Sequence, residues 1–225
     1  MGLTWFITGA NRGLGLEMAR RLSHRGDTVI GTARDPGTAG ELREVADRVI
    51  GLDVADRASI EAAAVELGET RIDALVNNAG SSPAPESIGK LDLDAFEQEI
   101  AVHALGPVWV TRALLPNLMR GSRRLIVTLS SELGSNEIAR GSVYYGYMMG
   151  KAAANMFTTT LGTDLRAEGF TCLAVHPGWV STRMGGASAP VTPTESVTAM
   201  IETLDKAGPE RTGAYVDRFG KEMPY

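Results

Sequence analysis

Residues 3–16, Leu-Thr-Trp-Phe-Ile-Thr-Gly-Ala-Asn-Arg-Gly-Leu-Gly-Leu, restrict the fold more than any other stretch. An apolar run ends in Thr8-Gly9, and Gly13-Leu14-Gly15 opens an amphipathic segment from Leu16 to about Leu22. That order predicts a strand, a glycine turn and a helix. The first N–H groups of such a helix lack partners within it and, with the helix dipole, favour an anion. Gly9 permits the tight turn, Gly13 permits close backbone approach, and Gly15 lets the helix pack on the strand. The spacing Gly9-x3-Gly13-x-Gly15 departs from the commoner dinucleotide spacing, so a merely flexible turn is the competing reading here.

The rest of the chain repeats the alternation. Strands are predicted over 27–33, 49–54, 74–77, 125–129, 170–175 and 213–216. Between them the pattern predicts helices over 41–47, 57–67 with Asp56 as cap, 94–119, 145–167 and 194–205. Pro107 cannot donate an N–H, so the long fourth helix is expected to bend near Gly106-Pro107. Loops are expected over 81–89 and from the fifth strand to about Val143. Continuous apolar strands alternating with helices describe an α/β fold, a doubly wound parallel sheet of the Rossmann-like kind. The 225 residues suit one domain, with a cofactor half over about 1–125 and a catalytic and substrate half over about 126–225. Ligands in such sheets bind outside the carboxyl ends of the strands. The polar and glycine-rich residues gather at those ends.

A net charge of −5 argues against a nucleic-acid surface. One cysteine, Cys172, excludes an intrachain disulfide and fits a reducing cytoplasm. No apolar stretch reaches membrane-spanning length. The first strand begins almost at residue 3, and no signal segment is expected before it. No metal-ligand cluster is apparent.

Tyr147 and Lys151 stand at i and i+4 on one helix face. A free tyrosine titrates near 10, and a neighbouring cation favours the phenolate, which would bring that proton within reach of acid–base work. A solvated helix face is the alternative for this pair taken alone. Thr8-Gly9-x3-Gly13-x-Gly15, Asn77-Asn78-Ala79-Gly80, Ser130-Ser131, Tyr147-x3-Lys151 and Pro177-Gly178 occur in one order along the chain. In this the sequence resembles the short-chain dehydrogenase/reductase family over nearly its whole length. Gly134-Ser135 and the ending 217–225 resemble its carbonyl-reductase branch of sniffer-like and C-factor-like proteins.

The resemblance implies a set of roles. Tyr147 is the general acid toward a carbonyl oxygen, or the base in reverse; Lys151 lowers the tyrosine pKa and binds the nicotinamide ribose. Ser131 hydrogen-bonds the substrate oxygen, with Ser130 as the alternative if the strand shifts by one residue. The turn residues Gly9, Asn11, Arg12, Gly13, Leu14 and Gly15 hold the cofactor, together with Asp53, Val54, Asn77, Ala79 and Gly80. Pro177, Gly178 and Val180 lie along the nicotinamide, and Thr182 lies near its amide or the phosphates. The end of the second strand carries Ala33-Arg34 rather than the carboxylate usual in NAD-binding members. Arg34 and Arg12 suit a 2′-phosphate, so NADP(H) is expected and NAD(H) is the lesser option, with a solvated pair of Arg34 and Asp35 as the competing reading. His103 stands where the family usually has an asparagine that holds a relay water. An imidazole could continue that relay and add a titrating group, or be a satisfied buried side chain.

The segment from Met184 to Pro193 is short and made of small residues, which implies a small or mobile lid. Leu133, Trp179 and Met184 are candidate apolar walls, and the expected substrate is a small apolar aldehyde or ketone. The alternatives are a weakly catalytic or non-catalytic NADP-binding signalling protein, and an alcohol dehydrogenase using NAD oxidatively. Residues 108–115 and Ala152-Ala153-Ala154 are candidate faces for a homodimer or homotetramer.

Overall fold

The computed structural model describes residues 2–82, 85, 87–139 and 141–225. Pro83, Ala84 and Glu86 of the expected 81–89 loop, and Arg140 of the loop before Val143, lie outside them.

Seven strands form one parallel sheet in the order β3-β2-β1-β4-β5-β6-β7. They are β1 (Thr4–Ile7), β2 (Thr28–Ala33), β3 (Arg48–Gly51), β4 (Ala74–Asn77), β5 (Leu125–Leu129), β6 (Thr171–His176) and β7 (Ala214–Asp217). The helices are α1 (Gly13–His24), α2 (Gly40–Arg43), α3 (Arg57–Leu67), α4 (Leu93–Ile100), α5 (Gly106–Met119), α6 (Tyr145–Asp164) and α7 (Pro193–Lys206). Alternate strand residues supply two cores. Trp5, Ile7, Val127 and Val175 pack with Met18 and Leu22 of α1 and Val197 and Met200 of α7. Phe6, Ile30, Leu75 and Ile126 pack on the other face with Ile60 of α3, Val110 and Leu114 of α5, and Leu165. The doubly wound fold is the one the alternation demands. The order reverses between β1 and β4, which opens a crevice at their carboxyl ends.

A single buried carboxylate ties the opposite ends of three strands. Asp73, fully buried, accepts from the amide of Thr4 at the start of β1 and from the amide and hydroxyl of Ser122 before β5, and pairs with Arg71. These hydrogen bonds hold its pKa below the ordinary aspartate value against its burial.

Several boundaries differ from expectation. The helix over 41–47 is only the single turn α2, because Val45 and Ala46 turn back onto the Leu42 carbonyl and the Asp47 carboxylate accepts from Val29 of β2. Asp53 and Val54 lie beyond β3 in the following loop. The long fourth helix is interrupted rather than simply bent. Residues Ala101–Leu105 form a π turn in which the Gly106 N–H donates to the Ala101 carbonyl. The missing N–H of Pro107 removes the α-helical partner of the His103 carbonyl, and the wider turn absorbs the break. Among the described residues no helix is long and apolar enough to cross a membrane.

Candidate active site

A cavity of about 890 Å³ runs across the carboxyl ends of the strands. One wall is the glycine turn. Gly9 and Gly13 adopt φ of 62° and 57°, a region that L side chains disfavour. A Cβ on Gly9 would lie 2.9 Å from the Ala79 Cα, and one on Gly15 would lie 2.5 Å from the Asn78 side-chain nitrogen. Gly15 is therefore a packing residue away from the cavity, while Gly9, Asn11, Arg12, Gly13 and Leu14 line it. No acidic side chain occupies the first turn of α1 and no side chain caps it, leaving an electropositive helix end toward the crevice.

Thr8 and Asn78 join the two central strand ends. The Thr8 hydroxyl accepts from the amides of Asn78 and Ala79 at 2.9 and 3.0 Å, and the Asn78 amide group donates to the carbonyls of Thr8 and Gly9. Asn77 turns away, donating to the Thr111 hydroxyl inside the protein, so it supports the wall that Ala79 and Gly80 present. At one end the cavity meets Arg34, Thr38, Asp53 and Val54. The Asp35 carboxylate accepts from the Gly37 amide at 2.8 Å. It caps a short turn rather than pairing with Arg34.

At the other end the cavity is lined by His103, Ser130, Tyr147, Lys151 and Met184. The Lys151 ammonium is buried, donates to the Leu129 carbonyl at 2.6 Å, and stands 5.6 Å from the centre of the Tyr147 ring. Burial lowers its pKa to about 8. Tyr147 departs from the expectation that the lysine depresses it: burial raises the phenol above its ordinary value, Glu99 adds to that, and a hydrogen bond with Ser131 opposes both. The physical reason is that desolvation acts on the phenolate more strongly than a cation turned toward a backbone carbonyl. The two serines are separated by their partners. The Ser130 hydroxyl donates to Asn155 at 2.5 Å, whereas Ser131, which also accepts from the Leu133 amide, faces Tyr147.

His103 is buried, and its ring meets Tyr147 edge-on with centroids 4.9 Å apart. Its Nε2 accepts from the Ser81 amide at 3.3 Å and lies 3.0 Å from the Ser81 hydroxyl, so the proton is assigned to Nδ1. Nδ1 has no partner among the described residues. Burial, then the Lys151 charge, holds the imidazole well below its ordinary pKa. It is a neutral side chain near pH 7 rather than an added titrating group. Two glycines make room for it: a Cβ on Gly150 would stand 2.6 Å from the His103 Cβ, and one on Gly80 would stand 3.1 Å from Cε1.

Other expected residues separate. Pro177 and Thr182 line the cavity. Gly178, at φ 89°, packs on Arg218, and Val180 is buried in a bridge with Val191. Trp179 is about half exposed and donates to the Gly185 carbonyl. Leu133 does not join Met184; it borders a separate hollow of about 300 Å³ with Tyr145 and Met149, because the short turn Glu132–Gly134 carries it outward. Ser81, Thr38 and Arg183 line the main cavity without having been expected. Polar residues beside the asparagine motif were the only available hint for Ser81.

The described residues contain no group of histidines, cysteines and carboxylates able to hold a metal. The donor set instead fits a phosphorylated dinucleotide: unpaired helix amides at the centre, guanidinium groups at one end, and a phenol, a hydroxyl and an ammonium at the other. A family model described as short chain dehydrogenase matches residues 4–191. The chain belongs to the short-chain dehydrogenase family. Among its relatives is C-signal of Myxococcus xanthus, 39% identical over 154 residues, covering 68% of this chain and 93% of that one. The NADPH-bound carbonyl reductase from chicken fatty liver superposes with a TM-score of 0.92 at 31% identity. The carbonyl reductase Sniffer of Drosophila melanogaster does so with 0.94 at 26% identity. Both superpositions cover 100% of each chain.

Proposed function

We propose that the chain reduces small apolar aldehydes or ketones to alcohols with NADPH. The observation that carries this reading is one cavity with Arg12 and Arg34 at one end and Tyr147, in hydrogen-bond contact with Ser131 and close to Lys151, at the other. The glycine turn and the end of α1 would hold the diphosphate, and Arg34 with Arg12 the 2′-phosphate, through charge-assisted hydrogen bonds. When bound, the reduced nicotinamide supplies the hydride. Tyr147 gives its phenolic proton to the carbonyl oxygen, and Ser131 orients that oxygen. A phenol held above its ordinary pKa keeps its proton at pH 7, which favours the role of acid over that of base. Lys151 anchors the ribose side and supplies positive charge as the phenol loses its proton. His103 fixes the Tyr147 ring edge and Ser81. Met184 forms the apolar side of the substrate space.

The same reading includes a homodimer. Val110, Leu114 and Ala154 are spent in the chain's own core, but Val108, Met149 and Met156 stay exposed on α5 and α6. Light scattering reads the assembly. The likeness to C-signal supports a second reading, in which nucleotide binding serves signalling.

The test is a panel of aldehydes, ketones and quinones scored by NADPH absorbance, with Tyr147→Phe as control. The variant should lose at least about a thousandfold in kcat while binding NADPH within about threefold of wild type. Absence of NADPH oxidation across the panel would sink the reductase reading. A Tyr147→Phe protein that keeps a cellular role would favour signalling.

A further inference from the structure

Arg183 was no part of the expected site, yet it lines the same cavity as Arg12 and Arg34. The three guanidinium groups come from three different strand ends: Arg12 follows β1, Arg34 follows β2, and Arg183 follows β6. Among the described residues none of the three pairs with a carboxylate, whereas Arg20, Arg21, Arg25, Arg71 and Arg120 all do. Burial and then the charges of Arg183 and Arg34 hold the Arg12 pKa below the ordinary arginine value, with Arg183 the stronger neighbour. Asp35 and Asp53 also line the cavity, but among the described residues neither forms an ion pair with these arginines, and three unpaired guanidinium groups around one cavity favour an anionic ligand.

The position of Arg183 is set by a tight turn. The Gly186 amide donates to the Thr182 carbonyl at 2.9 Å and the Gly185 amide to the Thr182 hydroxyl at 3.2 Å. The base of the loop is pinned where the Ser181 amide donates to the Val191 carbonyl and the Val191 amide to the Trp179 carbonyl. This turn stands across the crevice from the start of α1: a Cβ on Gly13 would lie 3.7 Å from the Thr182 methyl group. Arg183 therefore faces the electropositive helix end, whereas Arg34 lies with Thr38 at the far end of the cavity.

We propose that Arg183 is a ligand of the nucleotide diphosphate, placed on the substrate-side loop opposite the helix end that holds the same group. The proposal rests on the nucleotide-binding reading above. Its consequence is that nucleotide fastens the loop. Met184 follows Arg183 directly, and its methyl group lies 3.4 Å from where a Gly80 Cβ would stand. Seating the diphosphate thus holds Met184 over the reacting end. NADPH and NADH share the diphosphate and differ in the 2′-phosphate, so the pair separates Arg183 from Arg34.

The experiment titrates wild type, Arg183→Gln, Arg183→Lys and Arg34→Gln with NADPH and with NADH by nicotinamide fluorescence, after thermal melts have shown each variant folded. Arg183→Gln should weaken both nucleotides by the same factor, about tenfold or more, the effect of one charge-assisted hydrogen bond. Arg183→Lys should recover part of it. Arg34→Gln should weaken NADPH by a similar factor and leave NADH within about twofold. NADPH should also slow amide exchange over 181–190 in wild type and much less in Arg183→Gln. Unchanged binding of both nucleotides by Arg183→Gln, or a loss confined to NADPH, would overturn the diphosphate assignment alone. A wild-type protein that binds neither nucleotide would overturn the underlying reading as well.

Discussion

Lys151 places a buried charge where only function asks for one, and its removal should stabilise the nucleotide-free protein. Folding carries the ammonium from a pKa of 10.5 to about 8. At about 1.4 kcal/mol per pH unit, that difference costs the folded state about 3 kcal/mol wherever the lysine is charged in both states. Lys151→Met keeps the length of the side chain and removes the charge. It also leaves the Leu129 carbonyl without its 2.6 Å donor, a loss of about 1–2 kcal/mol. The net expectation at pH 7 is a gain of about 1–2 kcal/mol in unfolding free energy, together with loss of turnover. The sign follows from proton counting. Between pH 8 and 10.5 the unfolded chain binds more protons than the folded one, so wild-type stability from this group rises with pH and the penalty is gone above that window. The advantage of the methionine variant should shrink across it and reverse above it. Urea unfolding of both proteins at pH 7, 9 and 10.5 measures this. A methionine variant less stable than wild type at pH 7, or a difference that stays flat with pH, would refute the reasoning.

Two further outcomes test the surroundings of Tyr147. Gly150→Ala should cost about 1–3 kcal/mol by collision with the His103 Cβ, and His103→Gly in the same chain, which removes that Cβ, should return most of it; additive losses in the four urea curves would remove the steric account. Because His103 is held neutral, kcat/KM of wild type and His103→Asn should follow the same pH profile between about pH 5.5 and 8, and an inflection near 6.5 present only in wild type would show that the imidazole titrates.

The fold was legible because each strand announces itself twice, by an apolar run and by the turn that follows. The glycine turn was legible for a related reason: positive φ at Gly9 and Gly13 leaves a mark in residue type. Tyr147 and Lys151 could be placed on one face from spacing alone. What spacing does not carry is desolvation. The raised Tyr147 phenol, the neutral His103 and the lowered Lys151 all depend on what other elements cover them. The π turn needs Pro107 and also a tertiary setting that prefers a wider turn to a kink. Arg183 had no local signature at all, being one charged residue in a run of small ones. Only the return of the loop after β6 across the strand ends to the start of α1 sets it opposite Arg12. Leu133 failed as a substrate wall because a single short turn decides which side of the segment it faces.

The π turn also bears on how this chain tolerates changes in length. An α-helix advances about 100° per residue, so the widened turn gives α4 a rotational phase independent of α5. Val110 and Leu114 keep their aim at the sheet, while Phe96 and Glu99 separately meet Gly146 beside Tyr147. Loss of one residue within 101–105 would let the two helices merge into one continuous rod. Every upstream side chain would then swing by about a quarter turn, and His103 would leave the ring it steadies. A single-codon deletion here should therefore disable the site while sparing the sheet, a pattern no substitution at the same positions would reproduce.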